Sequence, residues 1–264
     1  MNDALTWNQV NITFPGWDNA ERTAAAMLAR VLGEESAAWF FIRKHPCWRV
    51  RYQLSVRRRQ DVIRRHLDEL VAAGHITGWT PVIYEPETCA FGGPQAMTVA
   101  HRLFCADSRC LLGYLRDLPP GTHRRELSLL LCSVMMRAAS QDWYEQGDIW
   151  ARVASLRKPP PDAAADTAFM LGAARRLLTA DAESQTRDGA PLARHASWAA
   201  AYETAGRDLA ALAAAGRLHR GLRDVLAHHV IFAWNRLGLP YQSQSALAGT
   251  AKTAVFGPDP AIVR

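Results

Sequence analysis

No apolar run in these 264 residues approaches the roughly 20 needed to cross a bilayer. The first fourteen residues have neither the basic start nor the continuous apolar core of a secretory signal. Both absences argue against a helical membrane protein and an exported one, and the expectation is a cytoplasmic protein without a membrane partner. Cysteine is scarce. Cys47, Cys89, Cys105, Cys110 and Cys132 make an odd count with no C-x-x-C pair, which argues against a disulfide framework and a zinc ribbon and leaves reduced, mostly buried thiols. Generic catalytic signatures are missing too: there is no P-loop, no G-x-G-x-x-G, no G-x-S-x-G and no H-E-x-x-H. His228 and His229 are adjacent, so on a helix they point about 100° apart. They cannot act as an i, i+4 ligand pair, and no metal site is expected.

Lysine is nearly absent as well. Only Lys44, Lys158 and Lys252 stand among 31 basic residues. The rest are arginine, the residue suited to bidentate grip on carboxylates and phosphates. Arg43, Lys44, Arg49, Arg51, Arg57, Arg58, Arg59, Arg64 and Arg65 fall in one short stretch opposed only by Asp61. Such a patch suits an anionic partner, nucleic acid or acidic peptide, or is simply a solvated basic face. The formal net charge is +6 and 49% of residues are hydrophobic, enough for a sizeable core.

The first half alternates strand and helix patterns. Residues 10–14 alternate with period two and read as a strand, and Pro15-Gly16 breaks it. Asp18 or Asn19 can cap a helix over residues 20–32. Residues 39–42 form an apolar, β-prone run. Residues 48–54 alternate, putting Arg49 and Arg51 on one face and Trp48, Val50, Tyr52 and Leu54 on the other. A helix over residues 60–73 has its stripe in Val62, Ile63, Leu67, Leu70 and Val71 and stops at Gly74. Residues 79–84 form a fourth strand. This β-α-β-β-α-β order is the split pattern of ferredoxin-like folds. Helices are predicted over 95–118, 124–140, 142–156, 167–178, 195–218, 222–237 and 243–256, with exposed connections at residues 158–161 and 181–191. The fold class is α+β: an N-terminal ferredoxin-like sheet unit followed by a mostly helical C-terminal half. A single domain over residues 1–264 is expected, sheet-rich over 1–90 and helical over 91–264.

Three segments carry groups suited to chemistry. The first, W-F-F-I-R-x-x-P-x-x-R-x-R at residues 39–51, places Arg43, Arg49 and Arg51 on adjacent strands, where arginines on one face would line a groove. The second, Y-E-P-E-x-x-x-F-G-G at residues 84–93, puts Glu85 and Glu87 on one face if the strand persists; pairing with nearby arginines is the plainer reading. The third runs from His228 to Gln244. Polar groups interrupt an apolar helix there, with His228 and Asn235 seven apart on one face and Phe232 between them. Gly238 and Pro240 end the helix and leave Tyr241 and Gln244 on the following turn.

These segments, with Asp107-Ser108 between them and the late N-R-x-G, resemble the C-terminal elimination domain of class I lantibiotic dehydratases and its stand-alone relatives over almost the whole chain. Eliminating members remove a glutamyl ester from serine or threonine to leave a dehydroamino acid. They usually carry arginine just before the aromatic-Gly-Gly, where this chain has Ala90. They also carry histidine one turn before the Asn-Arg pair, where it has Ile231. The Phe-Ala-Trp-Asn-Arg-Leu-Gly-Leu segment and the tail that follows are more similar to the thiopeptide pyridine synthases. That branch joins two dehydroalanines of a modified precursor peptide by a formal aza-[4+2] cycloaddition, then loses water and the leader peptide carboxamide to give a pyridine.

The resemblance implies a substrate-positioning and proton-moving site. Tyr241 is expected to donate or relay protons, Gln244 and Asn235 to orient the reacting amide, and Arg236 to stabilise oxygen charge. Trp234 and Phe232 would form a wall for the azole-rich core, beside His228 and His229. Arg43, Arg49 and Arg51 would hold an acidic leader, with Glu85 and Glu87 also on the substrate. The partner is the modified precursor, leader plus core, and no nucleic acid. The steps are redox neutral, so no cofactor is expected. Two other readings stay open: a glutamyl-eliminating subunit of a split dehydratase, and a non-catalytic module that binds leader peptide or RNA.

Overall fold

The computed structural model describes residues 6–54, 59–117, 123–159, 168–181, 184, 186–190 and 193–257. Arg57 and Arg58 of the basic stretch lie outside the described residues, as do parts of both expected connections. The chain divides into two compact units. The first comprises residues 1–86 and 104–122, and the second residues 87–103 and 123–264.

In the first unit, β1 (Trp7–Thr13), β2 (Ser36–Lys44), β3 (Cys47–Leu54) and β4 (Gly78–Val82) form one sheet in the order β2-β3-β1-β4. Every neighbouring pair is antiparallel. With helices between β1 and β2 and between β3 and β4, this is the ferredoxin-like arrangement, and the α+β class holds. The first connection is longer than its expected 20–32 helix. It runs as α1 (Trp17–Thr23), a π-helical turn (Ala24–Leu28) and α2 (Ala29–Glu35). Gly16 takes the cap position in extended conformation, so Asp18 and Asn19 fall inside the first turn. The second connection is α3 (Arg59–Ala72), whose Ile63 and Leu67 are buried.

Register fixes which side chains share a face. Trp39, Phe41 and Arg43 stand opposite Tyr52, Val50 and Trp48, whereas Phe40 and Ile42 stand opposite Arg51 and Arg49. Arg43 therefore faces away from Arg49 and Arg51, and the expected three-arginine groove does not form. A second correction concerns β4. It ends at Val82 because its partner, β1, pairs with it only as far back as Gln9. Ile83 beyond it is 87% exposed, so Glu85 and Glu87 share no strand face.

The helix α4 (Pro94–Asp117) starts in the second unit and ends in the first, where Phe104 meets Phe40 at 5.3 Å between ring centroids and the Ser108 hydroxyl accepts the Phe41 N–H. The second unit continues with α5 (Arg124–Ala138), α6 (Trp143–Leu156), α7 (Ala168–Thr179), a 3-10 turn (Ala193–His195), α8 (Ala196–Ala214), α9 (Leu222–Leu237) and α10 (Tyr241–Phe256). The sequence pattern places all seven of these helices within a few residues of their observed bounds. α5 and α8 approach closely at Gly206, where a Cβ would stand 2.3 Å from the Met135 carbonyl oxygen. α6 starts with a reciprocal cap between Asp142 and Glu145, and α10 packs along α6 and α7. No helix among the described residues is long and apolar enough to cross a membrane.

Candidate functional site

α9 is apolar nearly all round, and such a helix sits inside a protein. It packs against α5, α6 and α8. From Val225 to Leu237 every residue is buried except His228, Phe232 and Asn235. Their spacing of four and three places them on one side of the helix. The stripe is therefore a strip of open surface on an element that the core holds rigid, which is what a positioned site needs. Seven residues at about 1.5 Å rise separate its ends by about 10 Å.

At the His228 end, the segment after Pro86 folds as a tight turn pinned to α9. The Phe91 N–H donates to the Glu87 carbonyl and the Gly93 N–H to the Thr88 carbonyl, at 3.0 and 2.8 Å. Gly92 and Gly93 have φ of 87° and 107°, a region that side-chain-bearing residues resist. A Cβ on Gly93 would also stand 2.9 Å from His219 Nδ1. The turn drives the fully buried Phe91 ring against His228, His229 and Phe232, with centroids 4.7, 4.9 and 4.9 Å away. It also sets Glu87 Oε2 2.9 Å from His228 Nε2. Arg220 reaches the same turn, donating from Nη1 to the Ala90 carbonyl at 3.0 Å.

At the Asn235 end, α9 stops at Gly238, which has φ of 70°, and α10 begins at Tyr241, not after it. Gln244 is buried on the first turn of α10. Its Oε1 accepts from Arg157 Nε at 2.7 Å, and its Nε2 donates to Asn235 Oδ1 at 3.2 Å and to the Leu239 carbonyl at 2.8 Å. Guanidinium has donors only, so the Gln244 oxygen must face Arg157 and its amide nitrogen must face Asn235. The Asn235 oxygen is thereby used, and its NH2 makes no hydrogen bond among the described residues. Arg157 lies 5.7 Å from the Tyr241 ring centroid, and Tyr241 is 52% exposed. Burial pulls the Arg157 pKa below the ordinary arginine value, with Tyr241 opposing the shift.

The structure thus gathers Glu87, His228, Phe232, Asn235, Gln244 and Tyr241 in the second unit. Other expected site residues are placed elsewhere. Trp234 is fully buried, stacked on Trp150 at 6.0 Å and donating to the Ser128 hydroxyl at 3.2 Å, so it is core and not a wall. Arg236 is 0% exposed because it falls on the inward side of α9, out of reach of an oxygen on a bound ligand. His229 is also buried, and desolvation lowers its pKa to about 3, with the charges of Arg236 and His228 adding to the shift. In the first unit, Arg43 is buried in an ion pair with Glu21 on α1. Arg51 is 8% exposed, bonded to Gln9 Oε1 at 2.8 Å and flanked by the Phe40 and Tyr84 rings. Only Arg49 of the three is half-buried, opposite Asn11 on β1. Glu85 is exposed in the first unit.

Sequence pattern alone singles out neither Arg157 nor Phe91. Phe91 stands in the Y-E-P-E-x-x-x-F-G-G segment, where its aromatic ring is the available signal. Arg157 lies 87 residues from Gln244 and carries no local signal.

The family model described as lantibiotic biosynthesis dehydratase C-term matches residues 7–255. Among solved structures, the chain is similar to the tRNA-dependent lantibiotic dehydratase MibB from Microbispora sp. 107891, with 19% identity and a TM-score of 0.63 over 97% of this chain. It spans only 28% of that dehydratase. It is similar to TsrL, with 16% identity and a TM-score of 0.60 over 97% of this chain and 99% of that one. It is similar to the pyridine synthase TbtD from thiomuracin biosynthesis, with 11% identity and a TM-score of 0.65 over 94% of this chain and 97% of that one. At these identities the likeness is one of fold. No curated protein matches the sequence significantly. The match over nearly the full length makes this chain a member of the lantibiotic biosynthesis dehydratase C-terminal family.

Proposed function

We propose that this chain is a pyridine synthase of thiopeptide biosynthesis. It joins two dehydroalanines of a modified precursor peptide by formal aza-[4+2] cycloaddition, then eliminates water and the leader peptide carboxamide to give the pyridine macrocycle. The observation that carries the reading is the open stripe on α9, with an imidazole at one end, an aromatic ring in the middle and an amide beside the exposed Tyr241 at the other. Holding two alkenes of a flexible peptide in contact is the largest available contribution, on the order of 7–11 kcal/mol. A rigid strip with an apolar centre suits that task, and Phe232 offers a face for an azole ring. The reacting amide must become an iminol, which requires a proton at its oxygen. The Asn235 NH2 and the Tyr241 hydroxyl are donors suited to that oxygen.

The acidic leader would meet cations of the basic stretch, the exposed Lys44, Arg64 and Arg65 and the half-buried Arg49. The steps are redox neutral and call for no cofactor.

One observation favours glutamyl elimination as a second reading. Arg220 brings a guanidinium to the Ala90 carbonyl, beside the position where eliminating members carry arginine. Against it, the position of their histidine is the buried Ile231. Mass spectrometry separates the two. The protein is mixed with a leader-bearing, azole-containing peptide that carries two dehydroalanines, and separately with a glutamylated peptide. Release of the leader carboxamide with a new pyridine absorbance is the expected result, and loss of glutamate from the second peptide would establish the eliminase instead. If both peptides emerge unchanged, the chain is a binding module.

A further inference from the structure

We infer that Glu87 and His228 form a proton-handling pair, in which Glu87 locks the imidazole as its Nε2–H tautomer and the free Nδ1 carries the proton of the closing elimination. The inference rests on the cyclase reading and assigns a task within its site.

The tautomer follows from hydrogen-bond polarity. A carboxylate is an acceptor only, so at 2.9 Å from Glu87 Oε2 the Nε2 atom must donate. In the neutral ring Nδ1 is then the acceptor. His228 has no other hydrogen-bond partner among the described residues. The ring is also held in place. Phe91 meets it edge-on at 4.7 Å and Phe232 lies 4.9 Å away, both within the site. An ion pair with a side chain as open as Glu87, 56% exposed, adds little stability. Orientation of the ring is what this arrangement secures. The neighbouring His229 is unsuited to the task, since it is fully enclosed and stays neutral down to about pH 3.

The last step of the reaction needs one such group. After cycloaddition and loss of water, the leader is still attached through its amide nitrogen to a ring carbon. His228 Nδ1 takes a proton from the adjacent ring carbon, and the electron pair of that C–H bond becomes the ring double bond. The C–N bond breaks, and its pair leaves on the amide nitrogen. That nitrogen takes the proton back from the imidazolium, so the leader departs as a neutral carboxamide. The ring is aromatic, His228 is restored, and no oxidant or reductant is consumed. The two carbons are neighbours, so one imidazole can serve both proton movements. The earlier tautomerisation stays with the donors at the Asn235 end, about 10 Å along the helix.

The test uses the full-length protein. His228→Phe keeps a ring between Phe91 and Phe232, and Glu87→Ala alters an exposed position, so both are expected to melt like the wild type. Both variants should bind the dehydroalanine peptide with unchanged Kd. His228→Phe should accumulate a species lighter by one water with the leader still attached, and release the leader carboxamide on the order of 100-fold more slowly. Release at the wild-type rate would overturn the inference while leaving the cyclase reading intact. Long-range 15N NMR of the histidines, recorded without peptide, should find the neutral His228 ring as Nε2–H, with mixed tautomers in Glu87→Ala. A wild-type ring protonated at Nδ1 would overturn the inference directly. A wild-type protein that leaves the peptide untouched overturns the cyclase reading and with it the task given to Nδ1.

Discussion

In the sheet, Arg43 and Arg51 are taken up by their own neighbours: one is paired with Glu21 inside the fold, the other bonded to Gln9 and flanked by two rings. In α9, the polar residues divide by angle. Arg236 and His229 turn inward, and His228 and Asn235 lie on the one open side. Charge in sequence therefore locates neither site. What separates the regions is whether neighbouring elements leave a polar group a free direction. Arg43 and Arg51 stand beside rings and acceptors that hold them within the fold. The Glu87–Phe91 turn and the start of α10 reach the α9 stripe and orient its groups without covering them. Four comparisons, made with five substitutions, probe the contrast, ordered by their largest effect on folding stability.

The largest effect belongs to the inward side of α9. Trp234→Ala removes a fully buried indole from the stack with Trp150 and leaves a cavity, which typically costs about 3–5 kcal/mol. Asn235→Ala, one residue on, gives up one hydrogen bond with Gln244 and should cost about 1 kcal/mol. Urea denaturation of both variants measures the gap. Equal losses would mean that α9 has no distinct open side.

The next effect depends on pH. The folded pKa of His229, about 3, lies below the unfolded value of about 6.5. Beneath pH ~6.5 the unfolded chain binds a proton that the folded chain refuses. This part of the stability is complete above that pH and is lost as the pH falls toward 3, at up to about 1.4 kcal/mol per unit. Between pH 6.5 and 4.5 it amounts to about 2 kcal/mol. His229→Leu should flatten the pH dependence of unfolding by that much over this window. An unchanged slope would show that His229 takes up protons in the folded state.

Much of this contrast lay beyond the sequence. The helices were legible because their stripes repeat every three to four residues and Gly74 and Gly238 stop two of them. Period two gave the strands, but their ends were set by pairing: Trp7 joins β1 because Gln53 stands opposite it. The open side of α9 was hidden by its composition. With apolar residues nearly all round and Phe232 in the stripe itself, no polar face marks it. Only packing on three sides decides which residues stay open. Arg157 was illegible for a similar reason, since it reaches Gln244 only through the packing of α6 on α10.

A smaller effect is expected in the sheet. Arg51→Met keeps an unbranched chain between Phe40 and Tyr84 but removes the donor to Gln9 Oε1. A buried acceptor left without its donor costs about 2 kcal/mol. The variant should unfold at lower urea yet cyclise at the wild-type rate wherever it is folded. A folded Arg51→Met protein with weakened turnover would move Arg51 out of the structural group and into contact with substrate.

Tyr241→Phe should change stability least and turnover most. The ring is 52% exposed at the first position of α10, and its hydroxyl makes no hydrogen bond among the described residues. Removing that oxygen should shift unfolding by no more than about 0.5 kcal/mol, the usual range for surface changes. The phenyl ring still faces the Arg157 guanidinium, so Arg157 keeps Gln244 and Asn235 oriented and peptide affinity is retained. If the hydroxyl delivers the proton that the iminol oxygen needs, kcat falls about 10²–10⁴-fold while KM stays level. Steady-state cyclisation of the dehydroalanine peptide reads both constants. A Phe variant with unchanged kcat would leave Tyr241 as a wall of the site. The donors at that end would then reduce to the Asn235 amide and water, and positioning of the two alkenes on the α9 stripe would carry the greater share of the acceleration.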